Sequence, residues 1–101
     1  MAIYVTSDAH GHVRALDEAL SKISLTSDDT LYVLGDMIDR GPDPVGVIKL
    51  VRSLSNARVL KGNHEQIMLD AIIGQDPLDA ETWDINGGWT TREQLNDMEF
   101  E

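Results

Sequence analysis

The 101-residue sequence fits one domain, and its content of 42% hydrophobic and 26% charged residues is ordinary for a globular protein. The absence of cysteine excludes disulfides and thiolate metal sites and suits the cytosol. Much of the net charge of -10 follows residue 65, where nine acids accompany only Arg92. This balance argues against nucleic acid as a partner, and its simplest interpretation is a solvated acidic face or a mobile end.

The amino terminus contains no basic segment before the first predicted strand, so no signal peptide is indicated. No apolar run approaches the ~20 residues that a membrane span needs. We therefore expect a cytoplasmic protein with no membrane partner.

The first two predicted elements are a strand over residues 3–6 and a helix over residues 12–23. The strand is rich in β-branched and aromatic residues, which favour buried strands. Apolar residues recur in the helix at spacings of three and four and give one apolar stripe: Val13, Leu16, Leu20 and Ile23. Residues 24–29 are predicted to form a loop.

A second strand is predicted over residues 30–34, followed by a turn and a helix that ends near Leu54. Asp43 is a favourable N-cap and Pro44 suits the first helical position. The apolar stripe of this helix contains Val47, Leu50, Val51 and Leu54.

A third strand is predicted over residues 57–60, and a third helix over residues 65–73. Gly74 suits the position after the C-cap. The residues expected to face inward are Ile67, Met68, Ala71 and Ile72.

The pattern is weaker in the remainder of the chain. Residues 75–78 resemble a turn, residues 79–85 are ambiguous and residues 86–88 (Asn-Gly-Gly) are predicted to form a loop. Thr90 is a candidate cap for a last helix that ends near Met98.

Alternation of strands and helices predicts an α/β fold with a parallel sheet. In such a sheet, the carboxyl ends of the strands lie on one edge, where ligands bind. Each predicted strand is followed there by a polar cluster, and these clusters begin at Ser7, Gly35 and Gly62. Their convergence is the strongest functional signal in the sequence.

The clusters contain ligands suited to a borderline divalent ion such as Mn, Fe or Zn. Asp8 and His10 offer a carboxylate and an imidazole, and Asp36 has two oxygens that could bridge two ions. Asn63 offers a carbonyl oxygen to a second ion. Two ions ~3.5–4 Å apart clamp a phosphoryl group and acidify a bridging water, which makes a metal-bound hydroxide the expected nucleophile.

Three further residues suit phosphate chemistry. Arg40 can grip two phosphate oxygens, and His64 can protonate the departing alkoxide. Asp39 can accept a hydrogen bond from the other ring nitrogen of His64 and so hold its tautomer and orientation. The nearby glycines allow close backbone approach: Gly11, Gly35, Gly41 and Gly62.

Each of these residues also has a simpler structural explanation when it is taken alone. Asp8 or Asp36 could cap a helix, and Arg40 could form a surface ion pair with Asp39, worth well under ~1 kcal/mol. Glu65 is expected to cap or to hydrogen-bond, and His12 to begin the first helix, so neither is assigned a role in the chemistry. Ser7 has no base arranged for nucleophilic attack.

Three motifs in order resemble the amino-terminal signatures of the calcineurin-like metallophosphoesterases. They are Asp8-Ala9-His10-Gly11, Gly35-Asp36-Met37-Ile38-Asp39-Arg40-Gly41 and Gly62-Asn63-His64-Glu65. The resemblance covers residues 3–73 and is nearest to the serine/threonine protein phosphatases of bacterial and phage type. Residues 83–89, which include the Asn-Gly-Gly stretch, resemble a segment that bacterial members carry.

The resemblance implies two divalent ions, with Mn favoured over Fe or Zn. It implies Asp8, His10 and Asp36 as ligands of the first ion, and Asp36 and Asn63 as ligands of the second. It further implies His64 as proton donor, Asp39 as its assistant and Arg40 as the phosphate-binding group.

The resemblance also implies that this chain is the βαβαβα amino-terminal half of an α/β/β/α sandwich. Family members are about twice as long and supply two more histidines to the second ion, whereas this sequence has only His10, His12 and His64. Either residues 1–101 are a single truncated metallophosphoesterase domain, which we favour, or a partner supplies the rest. We expect the 101 residues to be nearly inactive alone. An exposed sheet face would then lead to self-association.

Three functions are compatible with this sequence. The favoured one is phosphomonoester hydrolysis resembling that of protein phosphatases, acting on a phosphoprotein or a small phosphoester. The second is dinucleoside tetraphosphate hydrolysis, although the symmetrical enzymes tend to lack an acid in the place of Asp39 and to have Asp in the place of Glu65. The third is a non-catalytic binding module.

Overall fold

The computed structural model describes residues 1–74 and 76–98 of the chain as an α/β structure with one parallel sheet. The strands are β1 (Ile3–Thr6), β2 (Thr30–Val33) and β3 (Ala57–Val59). The helices are α1 (Val13–Ile23), α2 (Pro44–Arg52), α3 (Asn63–Ile73), α4 (Pro77–Ile85) and α5 (Trp89–Asp97). None of these helices is both long and apolar enough to cross a membrane.

The sheet has the order β1-β2-β3, with both neighbouring pairs parallel, as the sequence predicts. Its register places Tyr4 beside Leu31 and Leu31 beside Ala57. Because side chains alternate along a strand, these residues share one face. Helices α1 and α2 cover that face through Leu16, Val47 and other apolar residues of the buried core.

The opposite face of the sheet is uncovered in the described part of the chain. Ile3 and Val5 on β1 are 65% and 62% exposed, and Leu60 after β3 is 55% exposed. Tyr32 and Leu34 are also exposed. This contiguous apolar face is the one that a second layer would cover in a sandwich.

Helix α2 begins as predicted. Asp43 is the N-cap, its Oδ1 accepts from Gly46 N at 2.9 Å, and Pro44 occupies the first turn. Helix α1 begins at Val13, one residue after the predicted start, with His12 as its N-cap residue.

Helix α3 ends at Ile73 as predicted, but it differs from the prediction in its first residue and in the cap position of Gly74. It begins at Asn63, two residues early, because the Glu65 side chain completes a capping arrangement on the backbone of Gly62. Gly74 is itself the C-cap in an extended conformation. Ile72, which was expected to face inward, is 56% exposed.

The region after Gly74 is more helical than the sequence suggests. Residues 77–85, predicted as part of a turn and an ambiguous stretch, form α4, with Asp76 accepting from Leu78 N and Pro77 in the first turn. Residue 75, the start of the predicted turn, lies outside the described residues. The last helix begins at Trp89 with Gly88 as N-cap; Thr90 lies inside it, so its prediction as the cap is wrong.

Candidate functional site

The polar clusters after the three strands meet at the carboxyl edge of the sheet. Beyond the ends of β1 and β2 the two loops run side by side, with His10 N donating to Asp36 O at 3.0 Å and Gly11 N to Met37 O at 2.9 Å. The third cluster joins them through His64 N, which donates to Asp36 Oδ1 at 2.8 Å. The predicted convergence at one edge is therefore confirmed.

Asp8, His10 and Asp36 offer ligand atoms that all lie within 4.8 Å of one another. His10 Nδ1 lies 2.8 Å from the Ile38 carbonyl oxygen. A hydrogen on Nδ1 would satisfy that carbonyl and leave Nε2 as the free lone pair, which is the usual arrangement for a metal-binding histidine. Two carboxylates and one oriented imidazole therefore fit a divalent ion.

The neighbours of Asp8 favour the ionised form of its carboxyl group. The Ser7 hydroxyl donates to Asp8 Oδ1 at 2.7 Å, and this bond lowers the pKa of the Asp8 carboxyl. Desolvation opposes this shift, whereas a side-chain hydrogen bond with Asp36 and electrostatic interactions with His10 and His64 lower that pKa further. Ser7 therefore stabilises the Asp8 carboxylate.

The backbone at this edge is held in an uncommon conformation. Positive φ angles occur at Asp8, His10, Asp36, Asp39 and Arg40, and outside this edge at only one other non-glycine residue of the described ranges, Ser24. The left-handed conformation costs roughly 1–2 kcal/mol per residue, so surrounding contacts must hold it in place. Such clustering of strain is typical of functional sites.

Glu65 supplies much of that support around Asp36. Its Oε1 accepts from Asp36 N at 2.6 Å and from Gly62 N at 2.9 Å, and its Oε2 accepts from Met37 N at 2.9 Å. The prediction that Glu65 hydrogen-bonds is confirmed. The close approach also needs glycine, because a Cβ on Gly35 would lie 2.2 Å from Gly62 N.

Asp39 and His64 form a buried pair. His64 Nδ1 lies 2.8 Å from Asp39 Oδ2, and Asp39 has no exposed surface. The predicted contact between the acid and the ring nitrogen is thus present, and it leaves His64 Nε2 free. The His64 ring also packs edge-on against that of His10, with centroids 4.5 Å apart, so it lies beside the candidate metal ligands.

Arg40 does not form the alternative ion pair with Asp39, whose carboxylate contacts His64, Trp83 and Thr91. The Arg40 side chain is exposed, and its Nε donates to Asn86 O at 3.3 Å, which leaves the guanidinium end accessible. Asn63 is the first residue of α3 and is exposed beside His64.

Sequence reasoning assigns no role to Trp83 or Thr91, yet both reach this site from α4 and α5. Trp83 Nε1 donates to Asp39 Oδ1 at 2.9 Å, and Thr91 Oγ1 donates to the same oxygen at 2.8 Å. The sequence signal for Trp83 is the resemblance of residues 83–89, which include the Asn-Gly-Gly stretch, to a segment that bacterial family members carry.

Comparison with known proteins agrees with this geometry. The family model described as calcineurin-like phosphoesterase matches residues 1–99. A crystal structure of a metallophosphoesterase from Sphaerobacter thermophilus matches with a TM-score of 0.63 and 32% identity, and the match covers 90% of this chain and 35% of that one. The α/β arrangement therefore corresponds to the amino-terminal part of a metallophosphoesterase fold.

Two kinds of curated relative are similar to the chain. A symmetrical bis(5'-nucleosyl)-tetraphosphatase of Pectobacterium carotovorum subsp. carotovorum is 38% identical over 76 residues, which is 73% of this chain and 27% of that protein. Serine/threonine-protein phosphatase 1 of Salmonella typhimurium is 38% identical over 92 residues, which is 89% of this chain and 41% of that protein. The chain thus spans less than half the length of either relative.

Proposed function

This chain belongs to the calcineurin-like phosphoesterase family, and on that premise we propose that it carries part of a metal-dependent phosphomonoester hydrolase site. The observation that carries the proposal is the convergence of ligand atoms from Asp8, His10 and Asp36 within 4.8 Å of one another. A buried acid–histidine pair lies directly beside them.

We assign these three residues to a first divalent ion, and Asp36 with Asn63 to a second, with Mn favoured over Fe or Zn. When bound, such ions would supply Lewis acidity, which neutralises phosphoryl charge and acidifies a water. The described residues would provide part of the second ligand set, because no histidine follows His64 in this sequence.

The remaining residues would handle the substrate and its proton. The exposed guanidinium of Arg40 would hold two phosphate oxygens in a bidentate grip. His64 would give its Nε2 proton to the leaving-group oxygen as the phosphorus–oxygen bond breaks and would become neutral. Asp39 would hold the ring so that Nε2 faces the substrate.

Two observations support a protein phosphatase-like activity over tetraphosphate hydrolysis. Asp39 and Glu65, the two positions at which the symmetrical tetraphosphatases tend to differ, both hold site residues in place here. In addition, the match to the protein phosphatase covers 89% of this chain, so it includes residues 83–88 wherever it begins. The match to the tetraphosphatase covers 73% of this chain, so it can end before these residues.

The test is turnover by the metal-loaded protein at its natural length. We expect Mn-dependent cleavage of p-nitrophenyl phosphate and of a phosphopeptide, with slower turnover of a dinucleoside tetraphosphate. Asp36→Asn should lower kcat/KM by about 100-fold or more, because even indirect metal partners cost 10–100-fold. Asp28→Asn, an exposed acid at the other end of β2, is the matched control. No loss of rate in Asp36→Asn would refute the proposal.

A further inference from the structure

The Asp39 carboxylate is held from two sides. Its Oδ2 faces His64, whereas its Oδ1 accepts from both Trp83 Nε1 and Thr91 Oγ1. The Asp39 backbone N–H donates back to Thr91 Oγ1 at 2.9 Å, so the threonine hydroxyl is engaged as both donor and acceptor. A buried carboxylate with all these partners has one favourable rotamer, because rotation would leave buried donors unpaired.

The turn between α4 and α5 is shaped around these contacts. A Cβ on Gly88 would lie 2.1 Å from Trp83 Cδ1, so glycine leaves room for the indole beside the turn. Gly87 has a φ of +89°, and its carbonyl accepts from Arg40 N at 2.9 Å. The two glycines of the Asn-Gly-Gly stretch thus allow the turn to pack against Trp83 and against the loop that carries Asp39.

Trp83 and Thr91 are 4% and 1% exposed, whereas their chain neighbours of the same type are more open. Trp89 is 51% exposed, and among the described residues the Thr90 hydroxyl donates to Gly87 O at 3.3 Å and to no other acceptor. Trp89 has the same side chain as Trp83, and Thr90 the same as Thr91, but in the described structure neither donates a hydrogen bond to Asp39. Substitutions at Trp89 and Thr90 therefore serve as matched controls.

We propose that Trp83 and Thr91 are positioning residues that fix the Asp39 carboxylate and, through it, aim His64 Nε2 at the leaving group. This inference rests on the proposed function. It assigns to α4 and α5 a role in proton delivery, because a carboxylate free to rotate would let the imidazole turn away from the substrate.

The kinetic test uses the metal-loaded protein at its natural length. Trp83→Phe and Thr91→Val should each lower kcat about 10-fold with KM nearly unchanged, as expected for loss of an indirect partner of a reacting group. Thr91→Ser, which keeps the hydroxyl, should retain most activity. The control variants Trp89→Phe and Thr90→Val should behave like the unmodified protein.

The leaving group separates this role from a general loss of folding. Phenyl phosphate needs protonation of its departing oxygen more than p-nitrophenyl phosphate does, so the loss in Trp83→Phe should be larger for phenyl phosphate. In a His64→Ala background, Trp83→Phe should have no further effect, because the two residues act in one chain of contacts. Equal losses for both substrates, or full additivity, would overturn the proposal.

A spectroscopic readout tests the same contacts without turnover. The His64 Nδ1 proton, held by a buried carboxylate, should give a slowly exchanging downfield proton resonance in the unmodified protein and in Thr91→Ser. It should broaden in Trp83→Phe and Thr91→Val. If the unmodified protein cleaves no phosphoester, the proposed function fails, yet an unchanged resonance in both variants would by itself overturn the positioning role. If Trp83→Phe does not fold, the comparison of Thr91→Val with Thr91→Ser in the same measurements tests the positioning role.

Discussion

Replacement of Glu65 by alanine should destabilise the fold sharply, because one side chain links the second and third clusters. Its carboxylate accepts three backbone hydrogen bonds, from Asp36, Met37 and Gly62. All three are part-buried, so the donors lose their partner without full access to water. Because these donors keep partial access to water, each lost hydrogen bond is expected to cost about 1 kcal/mol, below the ~1.5–3 kcal/mol typical of bonds to charged groups.

The expected loss in the free energy of unfolding is therefore about 3 kcal/mol for Glu65→Ala, a large share of a typical total of ~5–15 kcal/mol. Glu65→Gln keeps the oxygen that serves Asp36 and Gly62 and loses only the acceptor for Met37. Its expected cost is about 1 kcal/mol. Glu81, an exposed acid on α4, provides the control, and Glu81→Ala should change stability by less than ~0.5 kcal/mol.

The assay is urea unfolding followed by circular dichroism, with the midpoint and slope compared across the three variants. The expected order of destabilisation is alanine at 65, then glutamine at 65, then alanine at 81. If Glu65→Ala and Glu81→Ala unfolded at the same urea concentration, the hydrogen bonds of Glu65 between the two clusters would not contribute to the stability of the fold. Equal losses for the alanine and glutamine variants would show that the Oε1 contacts are unimportant.

Three further outcomes are expected. The 101-residue chain alone should show little or no hydrolysis of p-nitrophenyl phosphate, because the second ion would lack half its ligands; robust turnover would contradict this. The same chain should self-associate through its uncovered sheet face, and Val5→Lys should shift light scattering towards the monomer; a monodisperse unmodified monomer would count against this. Backbone hydrogen bonds from Thr26 and Ala2 lower the pKa of Asp29 from 3.8. Its contribution to stability is therefore complete above that pH and is lost as pH falls through the lower folded value. The difference in thermal midpoint between the unmodified chain and Asp29→Asn should therefore become smaller as the pH falls through this pKa. A difference that does not change with pH would refute the proposed contribution of ionised Asp29 to stability.

Local patterns were sufficient to predict the strands and the meeting of their clusters. Alternation of strands and helices implies a parallel sheet, and a parallel sheet brings Asp8 and Asp36 to one edge. The partnership of Asp39 with His64 followed from their placement after neighbouring strands. These features depend on chain order and element type, both of which are visible in the sequence.

Helices α4 and α5 were less accessible to such reasoning. Helix α4 buries one large side chain, Trp83, while Leu78 and Ile85 remain exposed, so it has no apolar stripe to detect. Its start repeats the Asp-Pro signal that correctly marked α2 at residues 43–44, and that signal was the available clue. The polar partners of Asp39 depend on tertiary packing, which residue spacing does not encode.

The central claim is that Asp8, His10 and Asp36 bind a divalent ion at the edge of the sheet. Isothermal titration of Mn²⁺ into the protein at its natural length tests it most directly, with Asp36→Asn and the control Asp28→Asn measured beside it. We predict saturable binding that persists in Asp28→Asn and is weakened about 100-fold or more in Asp36→Asn. Equal Mn²⁺ affinity in Asp36→Asn and the unmodified protein would contradict the account.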